Sequence, residues 1–402
     1  MCEREQRGLA IAAVCKLTPK GGVWLVPSQS GNKQYTVCPD AENPHCTCPD
    51  HETRGVKCKH IFAVEFVVKR EQDAITETLT VKRTTHRQNW SAYNAAQTNE
   101  KHQFQVLLHD LCRGIEEPEA GRGRPPIPLA DAIFAACFKV YSTVSGRRFM
   151  SDLRDAHARG FVRRPPCYNS IFNVFESPAT FTLLRSLVVE AATPLKPLET
   201  KFACDSSGFS GSRFDRWYYH KHGTHQIKRA WVKAHIMTGV KTNVVSAVEI
   251  LGQDANDSPL LKPMLATTAR RFNVDEVSAD LAYSSKSNLA AIDAIGAFPA
   301  IPFKSNATPA TGGLWAKMYH YVSLNRDEFL SRYHLRSNVE STFSMVKAKF
   351  GDGVRSRLDV AMKNEVLAKL VCHNICCLIS AMYEVGIDPT FWAKERVAQK
   401  VG

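Results

Sequence analysis

The sequence predicts a multidomain α/β protein whose largest part is a mixed sheet flanked by helices. Three observations carry this. From residue 196 onward, β-branched runs alternate with helical stretches in the order β-β-β-α-β-α-β-α. Residues 86–195 are patterned for helices, with a break at 116–128, EEPEAGRGRPPIP. Residues 1–85 combine turn signals with short β-like runs and clustered cysteines. At 402 residues and 44% hydrophobic, the chain suits two or three domains, each with its own core. The reading divides it into a small ββα metal-binding region (1–85), a helical region (86–195), a sheet region (196–385) and a C-terminal tail (386–402).

In the first region Val23–Val26 and Gln34–Val37 read as strands, and a helical run starts at Lys59. The sheet region opens with a strand-like run, Lys201–Asp205. In Ala230–Thr238, Val232, Ala234 and Ile236 alternate with Lys233 and His235, the period of a half-buried strand. Asn243–Leu251 is a second β-branched run, and the Gly239–Lys241 segment between them predicts a hairpin. Asn256–Phe272 reads as a helix, Val274–Ala279 as a strand, Ser287–Ile295 as a helix and Ala300–Phe303 as a strand. A long amphipathic helix follows Arg332.

The formal charge is +13, from 52 basic against 39 acidic residues, which favours a polyanionic partner such as DNA or RNA. The first residues, MCEREQRGLA, lack the basic-then-apolar order of a secretory signal. No segment reaches the roughly 18–20 uninterrupted apolar residues of a membrane span, so no membrane is expected. Among 13 cysteines, Cys2, Cys15, Cys38, Cys46, Cys48 and Cys58 crowd the beginning of the chain. In a reducing compartment such a cluster points to metal rather than disulfides.

Cys46-Thr47-Cys48, nine residues, then Cys58-Lys59-His60 offers three thiolates and an imidazole at spacings that can close a tetrahedral zinc shell. A closed four-ligand shell is structural, and in so small a region the metal would supply folding free energy. Cys38, His45 and His51 are nearby but rank below these four. The segment resembles a SWIM zinc finger (Cys-x-Cys, a variable gap, Cys-x-His) over roughly residues 20–66. That resemblance implies structural Zn²⁺ and a role in binding DNA or protein.

Asp205 and Asp280 each end an apolar strand-like run, where carboxylates can converge at one sheet edge, although an aspartate after a strand is commonly a turn residue. The segment 333–347, YHLRSNVESTFSMVK, adds more. Tyr333, Arg336, Glu340 and Lys347 lie at offsets of 3, 7 and 14, and so within about 60° of one another on a helix. Leu335, Val339, Phe343 and Val346 supply a separate apolar stripe. Tyr-x₂-Arg-x₃-Glu-x₆-Lys is the signature of the DDE transposases of the insertion-sequence four type, and the chain resembles that family over roughly residues 196–385.

The resemblance implies a ribonuclease H-like catalytic domain and DNA cleavage followed by strand transfer. It implies Mg²⁺ or Mn²⁺ held by Asp205, Asp280 and Glu340, and phosphates held by Tyr333, Arg336 and Lys347. It also implies action as a homodimer or larger complex on paired transposon ends and a place beside the chromosomal DNA, in the cytoplasm of a prokaryotic-type cell. Some relatives insert a larger β segment near Trp315; here there is only a short stretch, read as a loop.

Further basic segments invite DNA readings. The run 217–229, WYYHKHGTHQIKR, mixes rings and cations that could stack on and grip a splayed strand, or form an ordinary surface loop. Lys347–Arg357 reads as backbone contact, and 145–149 with 159–164 as basic patches in which a helix-turn-helix is plausible. Arg122-Gly123-Arg124-Pro125 resembles an AT-hook core but reads as a linker. Two other classes stay open at this point: a nuclease that cuts without joining, and a non-catalytic DNA-binding protein that works through its zinc module.

Overall fold

The computed structural model describes residues 3–29, 33–40, 43–79, 89–119, 125–211, 231–252, 256–304, 306–309 and 312–392. The run 217–229 and most of 122–125 lie outside these residues. The chain forms two compact units, Met1–Arg87 with Ser305–Leu324, and Gln88–Lys304 with Asn325–Gly402.

The first unit begins with helix α1 (Glu3–Val14), followed by strands β1 (Thr18–Lys20), β2 (Val23–Pro27), β3 (Gln34–Cys38) and β4 (His45–Cys46). These strands form one antiparallel sheet in sequential order. Helices α2 (Pro49–Arg54) and α3 (Lys59–Leu79) complete this stretch. The region is therefore richer than the ββα unit read from sequence. α1 was not anticipated, and β1 and β4 are too short to show a period. α1 lies against α3. Gly8 permits the approach, because a Cβ there would sit 2.5 Å from Phe62 Cβ. Ile11, Trp24, Val26, Val37, Ile61 and Val64 form the core together with Cys46, Cys48 and Cys58.

The second unit starts with five helices: α4 (Trp90–Arg113), α5 (Leu129–Ser142), α6 (Gly146–Ala158), α7 (Tyr168–Glu176) and α8 (Pro178–Ala192). Its sheet contains β5 (Lys201–Ser210), β6 (Trp231–Gly239), β7 (Val245–Gly252), β8 (Glu276–Ala279) and β9 (Phe298–Ala300), in the order β7-β6-β5-β8-β9. β5, β6 and β7 are antiparallel neighbours, whereas β8 and β9 run parallel to β5. The hairpin read from the sequence is present. Its turn is held by Glu199, buried at 1% exposure, which accepts the Lys241 and Thr242 amides. A Cβ on Gly239 would meet the Glu199 carboxyl carbon at 2.4 Å, so the site requires glycine.

Among the described residues the remaining α-helices are α9 (Leu261–Ala269), α10 (Lys286–Asp293), α11 (Gly313–Leu324, of the first unit), α12 (Arg326–Tyr333), α13 (Ser337–Phe350) and α14 (Asp359–Val385). Two helices and one strand differ from the sequence reading. The 256–272 helix is shortened to a 3₁₀ turn at Ser258–Leu260 followed by α9. The strand near 300–303 lies earlier, at β9. The long helix after Arg332 is α12, a 3₁₀ turn at His334–Arg336, and then α13. A 3₁₀ turn advances about 120° per residue instead of 100°, so a single helical wheel does not describe the signature.

α14 is long and apolar enough to cross a membrane, but 78% of its most apolar stretch is buried inside the fold. It packs against α4, α5, α7 and α8 and also touches α13, β6 and β7. Asn374 at its middle donates to the Val188 and Val245 carbonyls and accepts the Val245 amide, each at 2.8–2.9 Å. Asn364 donates to the Phe175 and Ser177 carbonyls. Beyond α14, Trp392 donates its indole N–H to the Leu111 carbonyl at 2.9 Å, so at least this part of the tail is fastened to the helical layer.

His373, 3% exposed, donates Nε2–H to the Asn243 carbonyl at 2.8 Å, and burial pushes its pKa down to about 4. A depressed histidine contributes stability that is fully present above its unfolded value of about 6.5 and is lost as pH falls toward 4. Urea titrations between about pH 4.5 and 6.5 should show the wild type losing up to ~1.4 kcal/mol per pH unit more than His373→Gln. Equal slopes would mean that the imidazole is not held neutral.

Candidate active site

The acids are brought together by strand register. Cys204 on β5 pairs with Ala279 on β8, so Asp205 and Asp280 are the next residues on adjacent parallel strands. Asp205 Oδ1 accepts the Ser206 amide at 2.7 Å. Asp280 caps the 3₁₀ turn Leu281–Tyr283 by accepting the Ala282 amide at 2.9 Å.

Arg336 ties this edge to the signature helix. It donates Nη1–H to Asp205 Oδ2 at 3.0 Å and Nη2–H to Glu340 Oε1 at 2.6 Å. Glu340 occupies the first turn of α13, where the helix dipole favours a negative charge. Lys347, two turns further along, donates to Ser207 Oγ at 2.6 Å and lies over the Phe209 ring. Tyr333, the last residue of α12, stacks on Phe329 at 6.0 Å between ring centres. α13 is docked by Thr342, whose hydroxyl lies 3.2 Å from that of Thr238 on β6. The sequence-predicted site residues Asp205, Asp280, Tyr333, Arg336, Glu340 and Lys347 thus lie along one side of the sheet.

Burial pushes the Asp205 carboxyl pKa up, the Ser206 amide and Arg336 pull it down, and Asp280 and Glu340 push it up again. Burial works against the Arg336 charge, but Tyr333, Glu340 and Asp205 outweigh it, and the guanidinium pKa rises. The Tyr333 phenol is raised and the Lys347 ammonium lowered, both chiefly by burial. Two of the three carboxylates, Asp205 and Glu340, therefore share one guanidinium, and Asp280 stands next to Asp205. Such a hard oxygen set with unbalanced negative charge fits Mg²⁺ or Mn²⁺.

The basic stretch that spans the last turn of α13 and the residues after it differs from the sequence reading. Lys349 pairs with Glu100, and Arg355 donates to the Val144 and Thr143 carbonyls, so these cations serve the fold. Arg357 stays exposed. Trp315 lies in α11 rather than in a loop, and donates to the Thr308 carbonyl at 3.0 Å.

Sequence reasoning missed four residues behind the acids. Asp257 pairs with Lys233 and accepts from Ser206 Oγ at 3.5 Å, and Asn288 bonds the Tyr283 carbonyl. Asp257 sits in Asn-Asp-Ser-Pro, an ordinary turn sequence, so no local signal marked it.

In the first unit, Cys46 ends β4, Cys48 caps α2, Cys58 precedes α3 and His60 lies in its first turn. Their ligand atoms all lie within 4.8 Å of one another, and all four residues are buried. His60 Nδ1 is 3.9 Å from both Cys46 Sγ and Cys58 Sγ. Donors of a tetrahedral zinc shell lie about 3.5–3.8 Å apart, so the set fits Zn²⁺ with Nδ1 as the histidine donor. The Cys46 thiol, bonding the Cys58 sulfur, pulls the Cys58 pKa down, while that of Cys46 is pushed up. Cys38 and His45 are instead paired in the strand ladder, and His51 Nδ1 bonds the Val56 carbonyl.

Residues 196–375 match the family model of the transposase DDE domain, a span that holds the whole sheet, all three acids and α13. No curated protein matches the chain. Residues 196–375 of the second unit are therefore similar to a transposase DDE domain.

If zinc fills the cysteine cluster, a chelator should unfold the first unit and spare the second. Calorimetry of the full chain should lose one transition on chelation and keep the other, and Cys58→Ser should do the same. Zinc-finger peptides gain an apparent ~10–16 kcal/mol from the metal, so the effect should be complete. Transitions unchanged by the chelator would count against a structural metal.

Proposed function

We propose that this chain is the transposase of an insertion sequence of the insertion-sequence four type, which binds the transposon ends, cleaves them and joins them to a target. The observation that carries the reading is Arg336 bridging Asp205 and Glu340 beside Asp280. The signature residues and the acids thereby form one site in the region that matches the transposase family. The strand order β7-β6-β5-β8-β9, in which β6 alone runs against the other four, supports a ribonuclease H-like catalytic domain.

Asp205, Asp280 and Glu340 would hold the ions. When bound, a pair of divalent ions activates the attacking oxygen and stabilises the leaving oxygen of a phosphoryl transfer. The chain's own part is positioning. The Arg336 fork matches a phosphate as well as it matches two carboxylates, so it can exchange Asp205 and Glu340 for the DNA backbone. Lys347, held by Ser207, adds a point charge, and Tyr333 closes the row. Such preorganised charge provides much of the catalysis in phosphoryl transfer.

The helical layer supports a role in end recognition. α5 and α6 are joined by residues 143–145 alone, the span of a helix-turn-helix, and α6 exposes Arg147, Arg148 and Arg154. The first unit reads as a SWIM-type zinc finger that binds DNA or a protein partner. Action as a dimer or larger complex on paired ends, in the cytoplasm beside chromosomal DNA, belongs to the same proposal.

DNA carrying the ends that flank the gene, incubated with the protein and Mg²⁺ or Mn²⁺, should be nicked at those ends and give joined products. Glu340→Gln should reduce both by roughly 10²–10³-fold or more, the scale of losing one electrostatic group from a preorganised site. Cutting without joining would select a nuclease, and binding without cutting a non-catalytic DNA-binding protein.

A further inference from the structure

The ladder between β5 and β8 ends at Cys204 and Ala279, one residue short of both aspartates. Asp205 and Asp280 therefore stand side by side just where the strands cease to be hydrogen-bonded, and like charges there push apart. Something else must fix their separation. On β5, Asp205 and Ser207 face Arg336 and Lys347, so Ser206 faces the opposite side of the sheet.

On that opposite side a polar chain runs from one acid to the other. The Ser206 amide bonds Asp205 Oδ1 at 2.7 Å, and the Ser206 hydroxyl donates to Asp257 Oδ2 at 3.5 Å. Lys233 pairs with Asp257, and the buried His235 imidazole lies 3.5 Å from it. The next residue, Ser258, accepts from Asn288 Nδ2 through its carbonyl at 2.9 Å and its hydroxyl at 3.1 Å. Asn288, 1% exposed, also donates Nδ2–H to the Tyr283 carbonyl at 2.9 Å. Tyr283 closes the turn that Asp280 caps, with its amide on the Asp280 carbonyl at 3.1 Å.

We infer that Asp257 and Asn288 are positioning residues that set the distance between Asp205 and Asp280, and so the affinity of the acid site for its divalent ions. Neither residue faces the side on which Arg336 and Lys347 stand. They act on the acids through Ser206 and through the Leu281–Tyr283 turn. This rests on the transposase reading of the acids, and it adds residues that the signature does not contain.

The test is titration of the full-length, zinc-loaded chain with Mn²⁺, reading free ion by electron paramagnetic resonance, with no DNA and no turnover. Wild type should bind Mn²⁺ at a site lost in Asp205→Asn. Asp257→Ala and Asn288→Ala should each raise the half-saturating concentration by ~10–100-fold, the usual effect of removing the groups that orient metal ligands. Ser206→Ala, which removes only a hydroxyl and leaves the fold intact, should shift it in the same direction. Asp257→Asn, which keeps an acceptor toward Ser206, should recover most of the affinity. Wild-type Mn²⁺ affinity in Asp257→Ala and Ser206→Ala would overturn the positioning role while leaving the acid site in place. Mn²⁺ binding that survives Asp205→Asn would remove the acid-site reading, and the inference with it.

Discussion

Gathering Asp205, Asp280 and Glu340 at one sheet edge sets like charges beside one another in a partly buried site, and much of the second unit answers that repulsion. Arg336 supplies the nearest countercharge, with one arm on Asp205 and one on Glu340. The helix that carries Glu340 cannot drift, because it is fastened at several points. Arg332, just before the 3₁₀ turn, pairs with the buried Glu276 at the start of β8 and lies over the Phe298 ring of β9. Thr342 contacts Thr238, and Lys347 bonds Ser207. A carboxylate on a helix and two on strands can therefore keep one geometry in spite of their mutual repulsion.

The second constraint is the burial of α14. A helix with so few polar positions would slide against its neighbours if shape alone located it, and its buried polar side chains remove that freedom. Asn374 ties it to α8 and β7 together, and Asn364 ties it to the α7–α8 junction. Lys369 donates to the Gly351 and Gly353 carbonyls, and Glu365 accepts the Arg355 and Ser356 amides. The chain leaving α13 is thus clamped by α14, which also packs on the helical layer. The acid site and the helices of residues 90–192 therefore share one core, although sequence patterning separates them at about residue 195.

What was legible in the sequence follows from how local each signal is. The β6–β7 hairpin and β8 were readable because alternation is a property of adjacent residues, and the residues from Tyr333 to Lys347 were readable as a motif, although no single helix carries them. The 3₁₀ turn at His334–Arg336 was not, because its residues keep near-helical backbone angles and no proline or glycine marks it. Lys349 and Arg355 looked like DNA contacts because sequence shows a charge but not its partner; Glu100 and the 143–144 carbonyls are about 200 residues or more away. Asp257 and Asn288 were invisible for the same reason. Their importance lies in what they touch, and an Asp in a turn or an Asn near a helix start is unremarkable by itself.

The two metal-binding candidates show how donor chemistry separates tasks within one chain. Cys46, Cys48, Cys58 and His60 are buried and mutually close, so a zinc ion there would have its four positions filled by the protein and none left for substrate. The acid site is built the other way. Its donors are hard oxygens at a sheet edge, Glu340 is largely exposed, and the group that bridges the acids is an arginine rather than a fourth ligand. Because a guanidinium fork fits a phosphate as well as a carboxylate, Arg336 can leave the acids without losing its bonding geometry. A lysine there would balance charge but could not hold two acceptors in one plane, so the signature's arginine is required by geometry as well as by sign.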